Sequence, residues 1–116
     1  MSAAKIFQMP FSTIYTAYVQ KLARKGQSET DLQTIICWLT GYTPIELQHQ
    51  IDDQVSMATF FSAMPQLNAN AVKITGVICG IRVENISDPL MQQIRYLDKL
   101  VDELARGKAL SKILRV

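Results

Sequence analysis

Histidine is the scarcest chemistry-bearing residue in this chain: His49 is the only one in 116 residues, and it is accompanied by two cysteines, Cys37 and Cys79. These three cannot make a zinc site without a fourth ligand, and the cysteines lack metal-ligand spacing. No metal and no cofactor is therefore expected. No apolar run approaches the ~20 residues of a membrane span. The opening Met1-Ser-Ala-Ala-Lys5 lacks the charged-then-apolar layout of a secretion signal. A cytoplasmic protein with reduced thiols is the expectation. A large excess of one charge sign is also missing: the net charge is +2 and the pI is near 8.6, which by itself calls for neither a nucleic acid nor a membrane partner. Glycine is sparse, and Gly76 and Gly80 are not followed by Lys-Ser or Lys-Thr, so there is no glycine-rich phosphate loop. No internal repeat, low-complexity tract or linker divides the chain.

What is present is enough apolar residue for one core. At 48% hydrophobic content, a chain of this length buries roughly two-thirds of its unfolded surface without staples. One domain over 1–116 is expected. Its best-specified element is the stretch 88–107. Asp88 and Pro89 suit a helix start, and Gly107 suits the residue just past its end. Leu90, Ile94, Leu97, Leu100, Val101 and Leu104 fall in a stripe about 100° wide. Arg95, Lys99, Asp102, Glu103 and Arg106 lie off it. The spacing of four pairs Lys99 with Glu103 and Asp102 with Arg106.

The rest reads as short helices. Residues 1–10 are expected to be an extended arm laying Ile6, Phe7 and Met9 on the core. A helix over about 12–25, capped by Ser12, puts Phe11, Ile14, Tyr15, Tyr18 and Leu22 on one face. Ser28 caps the next, with Leu32, Ile35, Ile36 and Leu39 inward and Gly41 closing it. Thr43-Pro44-Ile45-Glu46 is a capping box opening a short helix to about 51. Ser56 caps another from Met57 to Met64, and Leu110, Ile113 and Leu114 allow one last turn. The stretch 71–86 is ambiguous. Ile74, Val77, Ile78 and Ile81 have helical spacing, so helix is the reading taken, although its β-branched density suits strand as well. The fold class expected is mostly α, a compact bundle of about five to six short helices; the alternative is α+β with 71–83 as strand.

Three blocks carry a resemblance. They are Cys37-Trp-Leu-Thr-Gly-Tyr42, Ile74-Thr-Gly-Val-Ile-Cys-Gly-Ile-Arg-Val83, and the run from Asp88 through Gly107-Lys-Ala to Lys112-Ile-Leu. Together the sequence resembles a family of small bacterial proteins known as the twenty-two-hundred domain of unknown function. The resemblance implies a bacterial, single-domain, stand-alone protein and carries over no catalytic or binding residue.

The candidate chemistry is thin. Cys79 as nucleophile with His49 as base competes with Cys79 as a small buried hydrophobe, and its apolar flanks favour burial. His49, among Gln48, Gln50, Asp52 and Asp53, is expected on a polar surface. No catalytic residue is assigned. Arg82, Glu84, Asp88, Arg95 and Asp98 are the best charged constellation. Should the segment before the 88–107 helix lie beside it, Arg82, Glu84, Arg95 and Asp98 can line a cleft that binds an anion; the alternative is a structural network. The 28–51 region has helix-turn-helix length, but its second helix offers no Lys or Arg for DNA. The basic end, Arg106, Lys108, Lys112 and Arg115 without an acid after them, is the one feature favouring a nucleic-acid binder. The reading taken is a binding or interaction module, self-associating or meeting another protein, with no membrane partner. A nucleic-acid binder and a small enzyme with a cleft near Arg82, Arg95 and Asp98 are the alternatives.

Overall fold

The computed structural model describes residues 3–116. Its seven α-helices among these residues are α1 (Ala3–Gln8), α2 (Phe11–Arg24), α3 (Glu29–Thr40), α4 (Pro44–Asp52), α5 (Met57–Ser62), α6 (Pro89–Ala105) and α7 (Leu110–Ile113). A two-stranded hairpin, β1 (Val77–Ile78) and β2 (Ile81–Arg82), lies before α6, flanked by 3-10 turns at 69–73 and 83–85. The fold is mostly α, with one segment as strand. No helix among the described residues is long and apolar enough to cross a membrane.

The start signals work where a side chain can reach a free N–H. Ser28 accepts from the Asp31 backbone N–H at 3.1 Å, and Ser56 from that of Thr59 at 3.1 Å. Thr43 and Glu46 complete the reciprocal capping box at 3.1 and 2.9 Å. Gly41 ends α3 at φ +79, and a Cβ there would stand 3.1 Å from the Gln66 backbone. Two expected caps differ. Pro10, not Ser12, precedes α2 and offers no side-chain bond. Asp88 precedes α6, also without a side-chain cap bond, leaving Pro89 to set the start.

The N-terminal arm is helical rather than extended from Ala3 onward; Met1 and Ser2 lie outside the described residues. Ile6, Phe7 and Met9 nonetheless rest half-buried on the core. The chain turns at Pro10, where the Phe11 N–H donates to the Val55 carbonyl and the Met57 N–H to the Met9 carbonyl, both at 2.8 Å. This pins α1 and α2 to the start of α5.

Helix α6 is the hub, packing against α2, α3, α5, α7, β1 and the 83–85 turn. Leu97, Leu100 and Val101 have no exposed surface, and Ile94 and Leu104 almost none. They meet Leu22, Leu32, Ile35, Ile36 and Leu39 from α2 and α3 within one core cluster. In the same cluster the Phe11 and Phe60 rings stack with centroids 3.7 Å apart. The Tyr42 hydroxyl donates to the Phe60 carbonyl at 2.6 Å, and burial, then Glu46, pushes the Tyr42 phenol up to about 12.

The 71–86 stretch is not an α-helix. The Val77 and Ile78 strand pairs antiparallel with Ile81 and Arg82 in the register Val77↔Arg82 and Ile78↔Ile81. Cys79 and Gly80 form the two-residue turn, at φ +53 and +78. Positive φ at both central positions is what a type I′ hairpin turn requires, and glycine supplies it without Cβ strain. Ile74 and Val83, the two residues bracketing the hairpin, are fully buried. The apolar spacing that mimics a helix is therefore spent on two anchors and a ribbon between them. Gly76 and Gly80 form no helix-packing face.

Candidate functional site

The charged constellation divides into two groups, both resting on α6. Gln92, Arg95 and Lys99 recur at steps of three and four and so form a polar stripe beside the apolar one. This stripe holds the hairpin segment. Gln92 Nε2 donates to the Val83 carbonyl at 3.2 Å, and Lys99 Nζ to the Val77 carbonyl at 3.3 Å. Lys99 thus binds backbone rather than Glu103. Between them Arg95 Nη1 lies 3.5 Å from Cys79 Sγ at the hairpin turn.

Arg82 and Glu84 belong to the first group, within the hairpin segment itself. Glu84 Oε1 accepts from the Gly76 N–H at 3.0 Å, and Oε2 pairs with Arg82 Nη1 at 3.4 Å. The bond from the Gly76 N–H, then one from its own backbone N–H, and after these the Arg82 charge hold the Glu84 carboxyl below its ordinary value. These two close the base of the hairpin and are well exposed. Asp88 stands apart as the residue before α6.

Arg95 and Asp98 form the second group. Arg95 Nη1 donates to Asp98 Oδ2 at 2.8 Å, while Asp98 Oδ1 accepts from the Tyr18 hydroxyl, eighty positions away on α2. The result is a connected chain, Cys79–Arg95–Asp98–Tyr18. Burial works against the Arg95 charge, but the Asp98 hydrogen bond and charge outweigh it and raise the guanidinium. Burial, then Asp98, raises the Tyr18 phenol well above its ordinary range. Tyr18 therefore stays a proton donor to Asp98.

This chain stands at the edge of a cleft of about 220 Å³ between α1, α2, α5 and α6. Tyr18, Arg95 and Asp98 supply its polar residues. The remaining walls are apolar: Ile6 and Met9 at the α1–α2 junction, Ile14 and Ala17 on α2, Met57 on α5 and Ile94 on α6. Apolar walls meeting a few convergent polar groups are the usual composition of a small-molecule site. Arg95 and Asp98 both line this cleft, while Arg82 and Glu84 do not. Tyr18 is the member that spacing hides, because its position on the buried face of α2 reads as core.

A second concavity, about 290 Å³ and more open, lies against Trp38, Gly41, Gln66, Asn68 and Ala69. Its Gln66 and Asn68 backbone N–H groups and the Asn68 amide are committed to the fold. The Gln66 N–H donates to the Thr40 carbonyl at 3.1 Å, the Asn68 N–H to Leu39 at 2.9 Å, and Asn68 Nδ2 to Trp38 at 3.2 Å. It has no connected charged group like that of the first cleft.

The two cysteines are free. Cys79 is exposed rather than buried, because the turn carries it to the tip of the hairpin. His49 lies on the exposed face of α4, a helix packed on α2 and α3, and Arg95 is the side chain that Cys79 meets. Among the described residues no group of three or more His, Cys, Asp or Glu could hold a metal.

The basic end of the chain is largely neutralised in place. Arg115 meets Glu103 through both oxygens at 2.7 and 2.8 Å. Lys108 adds a contact at 3.6 Å, and Arg106 pairs with Asp102 at 3.0 Å. Glu103, placed off the apolar stripe by its spacing, is only 8% exposed. The turn after Gly107 folds α7 back over it, with Ile113 fully buried.

Fold and cleft together define a small helical protein with a pocket beside its central helix. The chain belongs to the family described as uncharacterized proteins conserved in bacteria, DUF2200, whose model matches residues 5–115. Among solved structures it is similar to the crystal structure of uncharacterized protein SP1917. The two are 42% identical with a TM-score of 0.92, over 98% of this chain and 93% of that one. No curated protein matches the chain.

Proposed function

We propose that the chain is a small binding protein of the bacterial cytoplasm, and that the cleft headed by Tyr18, Arg95 and Asp98 is where it binds. The observation that carries this reading is the meeting of apolar walls from four helices with one connected polar group. Catalysis by Cys79 with His49 as its base has less support, since the side chain the thiol meets is Arg95 and not the chain's one histidine. Nucleic-acid binding through the basic end has less support too, since Arg106, Lys108 and Arg115 each already face a carboxylate. Two free cysteines suit a reducing compartment.

Methyl-resolved NMR with a set of small apolar fragments tests the reading. The methyls of Ile6, Met9, Ile14, Met57 and Ile94 are expected to shift together. A response confined to the Trp38 concavity, or none at all, would overturn the proposal.

Self-association is a second reading. It draws on Ile6, Phe7 and Met9, which their own core covers only in part. A two-fold dimer would cover such a patch with its own copy. Sedimentation equilibrium giving 13.1 kDa at all micromolar concentrations would remove it.

A further inference from the structure

The polar head of the cleft carries both signs of charge, and that restricts what it can hold. Arg95 and Asp98 are each about four-fifths buried at the side chain, 2.8 Å apart. Arg95 uses Nη1 for Asp98 and Cys79; among the described residues its Nε and Nη2 have no hydrogen-bond partner. Each Asp98 oxygen accepts one bond, from Tyr18 or from Arg95, and a carboxylate oxygen can accept a second. Donors and acceptors are therefore both left over, side by side, with formal charges that cancel. A simple anion would meet Arg95 but stand against Asp98. A simple cation would meet Asp98 but stand against Arg95. A group that answers both without a charge penalty bears an ammonium and a carboxylate on one carbon.

The walls restrict the rest of the ligand. Ile6, Ile14, Met57 and Ile94 offer no polar partner. The volume of about 220 Å³ is roughly that of seven liquid waters at ~30 Å³ each, and is below the ~300–1,000 Å³ of pockets for larger ligands. We infer that the cleft takes a free α-amino acid with a branched aliphatic side chain. The carboxylate lies on Arg95, the ammonium on Asp98, and the side chain lies among the isoleucines and methionines. This assignment rests on the cleft being the binding site.

Calorimetric titration of the whole chain with leucine, isocaproate (leucine without its amine) and isoamylamine (leucine without its carboxylate) tests it. Leucine is expected to bind at least about tenfold more tightly than either, because each lacks one charge-assisted bond. In Asp98→Asn, the advantage of leucine over isocaproate should vanish while isocaproate still binds. The ligand series on the unaltered chain decides the matter even if that variant fails to fold. Isocaproate or isoamylamine binding as tightly as leucine would overturn the zwitterion and leave the cleft in place. The same holds if leucine fails while uncharged apolar fragments still shift the Ile14 and Ile94 methyls. Failure of every compound, fragments included, would overturn the cleft itself.

Discussion

Leu97 and Val77 lie on elements that touch, yet Leu97 has no exposed surface and Val77 keeps 52% of its own. Helix α6 buries a continuous stripe and is stabilised along its whole length by tertiary packing. The 69–86 segment has two-residue strands and buries chiefly Ala71, Ile74 and Val83. Between these anchors its backbone is held from outside, by Gln92 and Lys99 of α6 and by Glu84 closing on Gly76. One region is core that also carries polar groups. The other is polar scaffolding hung on a few core residues. The cleft draws its head from the first, and its edge reaches the second only through the contact between Arg95 and Cys79.

The contrast should appear first in stability. Leu97→Ala is expected to cost about 2–5 kcal/mol through lost burial and a residual cavity. Val77→Ala should stay within about 0.5 kcal/mol, as exposed sites usually do. Denaturant titration of both variants checks this, and equal costs would erase the distinction between the regions. The next effect lies at the end of α6. Arg115→Ala leaves Glu103, 8% exposed, without its bidentate partner; a loss of about 2–3 kcal/mol is expected, below the cost for a fully sealed pair. Hydrogen exchange should quicken over 110–114 in that variant while the 94–101 amides of α6 stay protected.

Smaller effects belong to the hairpin. Cys79 holds φ +53, a conformation that asparagine tolerates better, so Cys79→Asn should stabilise the chain by a few tenths to about 1 kcal/mol. A destabilised variant would mean that the Arg95 contact outweighs the turn. In the unaltered chain, thiol reagents should label exposed Cys79 before half-buried Cys37, whose thiol is raised by burial and then by Glu46. The smallest effect is one of pH. Glu84 is held below its ordinary value of 4.5. Its contribution is present above that value and lost as pH falls through the lowered one. Amide exchange at Gly76, corrected for the intrinsic pH dependence, should become less protected below pH 4.5, and Glu84→Gln should flatten that dependence.

Much of the helical frame is legible because its signals are local. Ser28, Thr43-Pro44 and Ser56 each sit within a few residues of the N–H groups they cap or the turn they set, and the α6 stripe needs only its own spacing. The hairpin is not legible in that way. Its turn is Cys-Gly, not the Asn-Gly that marks a type I′ turn, and Ile74, Val77, Ile78 and Ile81 imitate helical spacing. The helix of the arm is hidden for a related reason: six residues ending before Pro10 show too few turns to read. The site is half legible. Arg95 and Asp98, one turn apart, belong together on any helix. Tyr18 joins them across eighty residues, and its place on an apolar face conceals a hydroxyl that reaches Asp98. Glu103 reads as surface until α7 brings Arg115 onto it.

The central claim is that a small molecule occupies the cleft between α1, α2, α5 and α6. Ala17 lines this cleft from an exposed position on α2, so Ala17→Trp should fill it without disturbing the core. Native mass spectrometry of both forms, purified gently from bacterial cells, tests the claim most directly. The unaltered chain is expected to carry a small molecule that the folded Ala17→Trp variant lacks; retention of the same molecule by both would contradict the assignment of the cleft.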